Sequence, residues 1–245
     1  MKNSLVHAFA IGMAIVSWTY SSESSAAIVT SGCASANQFC TVDELVRGAS
    51  MMVNDKLFEN WSADDASTVA PVDLSLIRVI PLDDQALNPG VEFLSNGALV
   101  THGLEQIDLD LTFRVSVVGG AARIVGSALE LSAFEFSAGN VGGIVAVSSD
   151  ALTANGLAVL GEQDVFAIHS LDALLFDSIA HLSQAAILVE ANILVTGDDS
   201  VDTVALNSFT QRFAQRAVQV PEPPTLPILG LALIGLWRMN RRTLL

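Results

Sequence analysis

The chain has 245 residues, 51% of them hydrophobic but only 6% aromatic, and its mean hydropathy is +0.51. A sizeable core can be built from it, and Val, Leu, Ile and Ala must supply most of that core. Between Ile28 and Val220 stand 24 acidic and 7 basic side chains, a net charge of −17, and so acidic a body excludes nucleic acid and anionic membrane surfaces as partners.

Residues 1–27 read as an export signal. Lys2 supplies a positive start, Leu5 to Trp18 an apolar stretch, and Ser24-Ser25-Ala26-Ala27 small residues for signal peptidase. About 14 apolar residues make a poor permanent anchor, so the mature chain is expected to start near Ala27 or Ile28. Export frames Cys33 and Cys40, the two cysteines of the chain. An oxidising compartment favours a local disulfide between them.

Thr41 with Glu44 three residues later has the pattern of a capping box, and Gly48 supplies a stop, which predicts a helix of one or two turns. From Ser50 onward short apolar runs alternate with turn formers such as Asn88-Pro89-Gly90, Asn96-Gly97, Gly119-Gly120 and Asn155-Gly156. That spacing predicts an all-β body over 28–219, an antiparallel β-sandwich of Ig-like or jelly-roll-like type. Its clearest strand is Ile107 to Val117, with Ile107, Leu109, Leu111, Phe113 and Val115 on one face and Asp108, Asp110, Thr112, Arg114 and Ser116 on the other. The returning segment, Arg123 to Phe136, changes phase near Ala133, which predicts a bulge. Ile187 to Val195 is apolar on both faces apart from Glu190 and Asn192 and is expected to lie centrally. Leu171, Leu174, Leu175, Ile179 and Leu182 also fit a helical spacing, so helix and strand both stay open over 171–182.

Motifs that would carry catalysis are missing from the sequence. His102, His169 and His181 are far apart, without H-E-x-x-H or H-x-H spacing, and no G-x-S-x-G, G-x-G-x-x-G or phosphate loop occurs. Asp108 and Asp110 share a strand face and form the one candidate carboxylate pair for a hydrolase. The segment Gly197-Asp198-Asp199-Ser200-Val201-Asp202 gathers three carboxylates in five positions. Calcium favours such oxygen clusters, so Asp198, Asp199 and Asp202 stand as a candidate calcium loop beside the plainer reading of an acidic turn. No other cofactor is expected.

The chain closes with VPEPPTLPILGLALIGLWRMNRRTLL, residues 220–245. Pro221 and Pro223 fix φ and remove backbone donors, so Val220, Pro221, Glu222 and Pro223 are expected to form an exposed, extended strip. Leu226 to Trp237 is uncharged and suits a transmembrane helix. Arg238, Arg241 and Arg242 hold its far end in the cytoplasm. The apolar run is short: about 13 residues from Thr225 to Trp237, at roughly 1.5 Å each, give about 20 Å, against a hydrocarbon core of roughly 30 Å. A temporary address fits that length better than a lasting anchor.

In this order the three parts closely resemble the PEP-CTERM sorting signal, by which Gram-negative bacteria present exported proteins to the membrane enzyme exosortase. The resemblance implies recognition at Val220 to Pro223, transient passage through the inner membrane, and delivery to the cell surface or extracellular matrix. The body is also similar to a recurring ectodomain of PEP-CTERM proteins: Asp55-Lys56-Leu57-Phe58-Glu59-Asn60-Trp61 near its start and Ser208-Phe209-Thr210-Gln211-Arg212-Phe213 near its end carry that likeness. It implies architecture more than chemistry. The favoured reading is a surface or matrix protein without catalytic activity, with extracellular polysaccharide among its partners. A glycan- or calcium-binding module comes second and a secreted hydrolase third.

Overall fold

The period-two alternation over Ile107 to Val117 becomes a single strand in which Ile107, Leu109, Leu111, Phe113 and Val115 are all buried. The protein is described by a computed structural model over residues 28–218, apart from 37, 69 and 121. The strands in chain order are β1 (Val29–Ser31), β2 (Cys40–Thr41), β3 (Ser50–Val53), β4 (Lys56–Asp65), β5 (Arg78–Leu82), β6 (Gly90–Leu94), β7 (Val100–His102) and β8 (Gln106–Val117). They continue with β9 (Ala122–Phe136), β10 (Ile144–Thr153), β11 (Val159–Ile168), β12 (Ala173–Leu174), β13 (Phe176–Gln184), β14 (Ala186–Thr196) and β15 (Thr203–Ala217). Among the described residues one short helix, α1 (Val42–Val46), interrupts them.

Two antiparallel sheets pack as a sandwich, as the turn spacing predicts. One sheet has eight strands in the order β1-β3-β4-β8-β14-β10-β11-β12; the other runs β13-β9-β15-β6-β5-β2, with β7 also pairing β15. The doubly apolar strand β14 lies centrally, between β8 and β10. The phase change near Ala133 is a bulge: Leu206 faces Phe134, Ser208 faces Ala133, and the register slips there. The capping box also forms. The Thr41 hydroxyl accepts from the Glu44 amide, while Glu44 reaches back to the amides of Thr41 and Ala34, each at 2.8 Å.

The open choice over 171–182 resolves as strand. Leu171 lies in a turn, Leu174 ends β12, and Ile179 and Leu182 belong to β13, which pairs with β9. On β13 the side chains of Asp177, Ile179 and His181 are half-buried while Phe176, Ser178, Ala180 and Leu182 are exposed. That alternation has period two, and it needs the β9 partner to show it. The leucines that suggested a helix are mostly outside the core.

The few aromatic residues are concentrated between the sheets. Trp61 stacks on Phe113 at 4.2 Å between ring centroids, Phe93 stacks on Phe209 at 4.4 Å, and Phe58 meets Phe213 edge-on at 5.6 Å. The two stretches that carry the ectodomain resemblance therefore meet: β4 and β15 touch across the sandwich through Phe58 and Phe213. Gly90 allows β6 to lie close to β15, because a Cβ there would stand 2.2 Å from the Gln211 carbonyl oxygen.

Candidate functional site

The body begins and finishes at the same end of the sandwich. β1 lies antiparallel on β3 with Val29 opposite Met52, near the β3–β4 turn, and β15 ends with Ala217 opposite Ala122, just after the β8–β9 turn. These two turns are joined where the Val118 amide donates to the Asp55 carbonyl at 2.8 Å. Leu87, Val118, Leu157 and Leu182 are exposed around this end. A groove of about 800 Å³ beside the chain exit is lined by Leu87, Val125, His181, Leu182, Gln215 and Arg216, among others.

Inside this end lies a charged group. A two-residue turn, Asn54-Asp55 with Asn54 at φ 58°, opens β4, and Lys56 follows on the face that also carries Phe58. Lys56 is 0% exposed. Its Nζ donates to Asp55 Oδ1 at 2.8 Å and to Gln215 Oε1 on β15. Gln215 in turn donates through Nε2 to the Ala86 carbonyl at 2.8 Å. Burial pulls the Lys56 ammonium below its ordinary pKa, and the hydrogen bond and charge of Asp55 oppose that only in part. The sequence carried a signal for this: Lys56 is the body's one lysine and falls in the inward phase of an apolar strand. In the sequence Lys56 stands as one of seven basic side chains and within the Asp55 to Trp61 stretch, with no sign of the partner it meets.

The opposite end holds the acidic loop. Asp202 is 1% exposed, and its carboxylate accepts four backbone N–H groups: Val141 at 2.6 Å, Gly142 at 3.2 Å, and Asp198 and Asp199 at 2.9 Å each. Burial works to raise its pKa, but the bonds from Asp198, Val141, Asp199 and Gly142 outweigh this and hold it below the ordinary carboxylate range. Its acceptor capacity is thus directed to its own backbone. Among the described residues no group of three His, Cys, Asp or Glu side chains is arranged to hold a metal ion. The backbone amides of Asp198 and Asp199 join those of Val141 and Gly142 in a loop clamp centred on Asp202, the geometry of an acidic turn.

The remaining candidates stay apart. His102 Nδ1 is 3.1 Å from the Thr203 hydroxyl, the His169 ring lies 5.3 Å from that of Phe136, and His181 Nδ1 donates to the Leu182 carbonyl at 2.9 Å. Asp108 and Asp110 are bridged by one donor, Asn192 Nδ2, at 2.7 and 2.9 Å. Beside His169 a shallow groove of about 460 Å³ is lined by Phe134, Phe136, Ser170 and Asp172, among others. Cys33 and Cys40 form the expected disulfide, with Cα atoms 5.1 Å apart. Val220, Pro221, Glu222, Pro223, Arg238, Arg241 and Arg242, and the apolar run between them, lie outside the described residues, as do residues 1–27, where an export signal is expected. Among the described residues no helix is long and apolar enough to cross a membrane.

Comparison with known proteins assigns the closing segment. Residues 219–242 match the model of the PEP-CTERM protein-sorting motif, a span that takes in Val220 to Pro223 and all three arginines. No curated protein matches the chain. Among solved structures, TmCBM61 in complex with β-1,4-galactotriose is similar at a TM-score of 0.29 and 13% identity, over 64% of this chain and 88% of that one. The enzymatically active domain of bacteriophage CBA120 tailspike protein 4 is similar at a TM-score of 0.26 and 11% identity, over 65% of this chain and 19% of that one.

Proposed function

We propose, from the premise that a chain carrying the PEP-CTERM sorting motif at 219–242 is an exported protein sorted by exosortase, that this protein is a structural or interaction component of the cell surface or extracellular matrix without catalytic activity. The observation that carries the reading is the direct succession of β15, which ends at Ala217, and the sorting motif, which starts two residues later. The body then hangs from its last strand. At roughly 3.3 Å per extended residue, the eight positions from Val218 to Thr225 place that end within about 26 Å of the apolar run. The loops around Asp202 lie at the opposite end of the sandwich from this exit. Cleavage near Pro221 to Pro223 would release the body or pass it to another acceptor, with extracellular polysaccharide the favoured one.

Mass spectrometry of the mature protein tests this reading. The expected C-terminus lies at or beside Pro221 to Pro223, and the expected N-terminus near Ala27 or Ile28. An intact chain ending at Leu245, isolated from a host with active exosortase, would overturn it.

A second reading, a glycan-binding module, is favoured by one observation: Phe134 and Phe136, half-buried and edge-on at 5.7 Å, line an open groove together with His169, Ser170 and Asp172. Aromatic faces bordered by polar groups suit sugar rings. Pull-down on extracellular polysaccharide, with and without calcium, separates the two readings. Retention that is lost in Phe134→Ala with Phe136→Ala supports the module.

A further inference from the structure

Lys56 and Gln215 lie 159 positions apart in sequence, one step along from the Phe58–Phe213 pair on the same two strands. Lys56 and Phe58 share the inward face of β4, and Phe213 and Gln215 share that of β15. The second pair therefore faces across the sandwich as the first does. It differs in chemistry. Phe58 and Phe213 can only pack, whereas Lys56 brings an amine onto a carboxamide at a site closed to water on the lysine side.

We propose that the Lys56 amine and the Gln215 carboxamide join in an intramolecular isopeptide bond that fastens β4 to β15, with Asp55 as the proton carrier. The step balances as an acyl transfer. The neutral amine attacks Gln215 Cδ, the Nζ–Cδ bond forms, and the Cδ–Nε2 bond breaks. One proton leaves Nζ through the Asp55 carboxylate and ends on Nε2, which departs as ammonia. No oxidant, reductant or cofactor enters.

Four features of the site serve this step. Burial favours the neutral amine, the nucleophilic form of lysine. Asp55 Oδ1 is already on Nζ at 2.8 Å, and its side chain is 30% exposed, which opens a path to solvent for the leaving group. The Ala86 carbonyl holds Nε2, while Nζ already contacts Oε1, one bond from the carbon to be attacked. Each partner is set on a strand held within its own sheet, so the reaction is intramolecular between pre-positioned groups, the arrangement in which effective concentrations are highest.

The bond would have a mechanical use in any attached form of the protein. β15 leads into the sorting motif, so a pull on the C-terminus acts first on β15. A covalent tie at Gln215 passes that load into β4 of the other sheet instead of peeling β15 from β9 and β6.

Intact mass of the purified full-length or mature protein, reduced and denatured, is the direct test. The expected mass is about 17 Da below that of the sequence with the same termini, one ammonia per molecule, and proteolysis yields a branched peptide containing both Lys56 and Gln215. Lys56→Met, Gln215→Ala and Asp55→Asn each retain the full sequence mass. Wild-type protein at its sequence mass overturns the proposal whatever the variants do. So does a loss of ammonia that maps elsewhere, for instance to Asn96-Gly97 or Asn155-Gly156. Asp55→Asn protein joined as fully as wild type overturns the role given to Asp55. None of these outcomes depends on where the tail is cleaved.

Discussion

The Asp202 carboxylate lies 2.6 Å from the backbone nitrogen of Val141, a residue 61 positions earlier in the chain. Through it the β9–β10 loop is tied to the β14–β15 loop. Four N–H donors converge on one side chain, so removing that side chain orphans them together.

Asp202→Ala is accordingly expected to be among the most destabilising changes outside the aromatic core, measured by chemical denaturation against Asp198→Ala, which should have little effect. The pH dependence follows in sign. The folded-state pKa of Asp202 is lowered, so its contribution is complete at neutral pH, starts to fall as the pH approaches the ordinary aspartate value of about 3.9, and is lost below the folded-state value. Wild type should lose stability between neutral pH and pH 3 more steeply than Asp202→Asn. Parallel curves for the two proteins would remove this account.

Calcium at millimolar concentration should leave the melting temperature of the protein unchanged, since Asp202 is taken up by backbone donors. A ligand present at about 100 times its Kd stabilises by roughly 2.7 kcal/mol. An upward shift of several degrees, abolished in Asp198→Ala with Asp199→Ala, would establish the calcium reading of that loop.

Phe113 touches Phe58, Trp61, Phe93 and Phe213 within the central cluster. Phe113→Ala should cost about 3–5 kcal/mol of folding stability, whereas Phe176→Ala, on the exposed face of β13, should cost well under about 1 kcal/mol. Equal effects would place the core elsewhere.

Gly90→Ala tests how closely β6 approaches β15. A Cβ at 2.2 Å from the Gln211 carbonyl oxygen and 2.8 Å from the Arg212 Cα cannot be accepted without moving backbone. Loss of stability by several kcal/mol is expected, with faster amide exchange in β6 as the local readout. Gly48→Ala makes a useful contrast, since nothing lies within 4 Å of its added Cβ and the effect there comes from backbone strain at φ 101° alone.

Replacing Cys33 and Cys40 together by serine should loosen the start of the body and leave the sandwich folded. A loop this short is worth about 2–3 kcal/mol by chain entropy. Glu44 still ties Ala34 and Thr41 together from within the same segment. Hydrogen exchange should rise over β1 and the Cys33–Cys40 loop while β8 and β14 stay protected.

Much of this fold is legible in the residues because its signals are local. The alternation of Ile107 to Val117 fixes which face of β8 is buried, Thr41 and Glu44 cap α1 within one turn, and the phase change at Ala133 marks the bulge. The sorting motif is equally local, since a proline strip, a short apolar run and arginines act through composition and order. What the tertiary structure decided depends on partners distant in sequence. Residues 171–182 are strand because β9 supplies the ladder, and no spacing of leucines reports that. Asp202 reads as part of an acidic cluster until Val141 and Gly142 arrive some sixty positions away to take up its oxygens. Lys56 counts as one more surface charge until β15 sets Gln215 against it. A buried polar group is defined by what it meets, and the chain alone lists the groups without saying which of them meet.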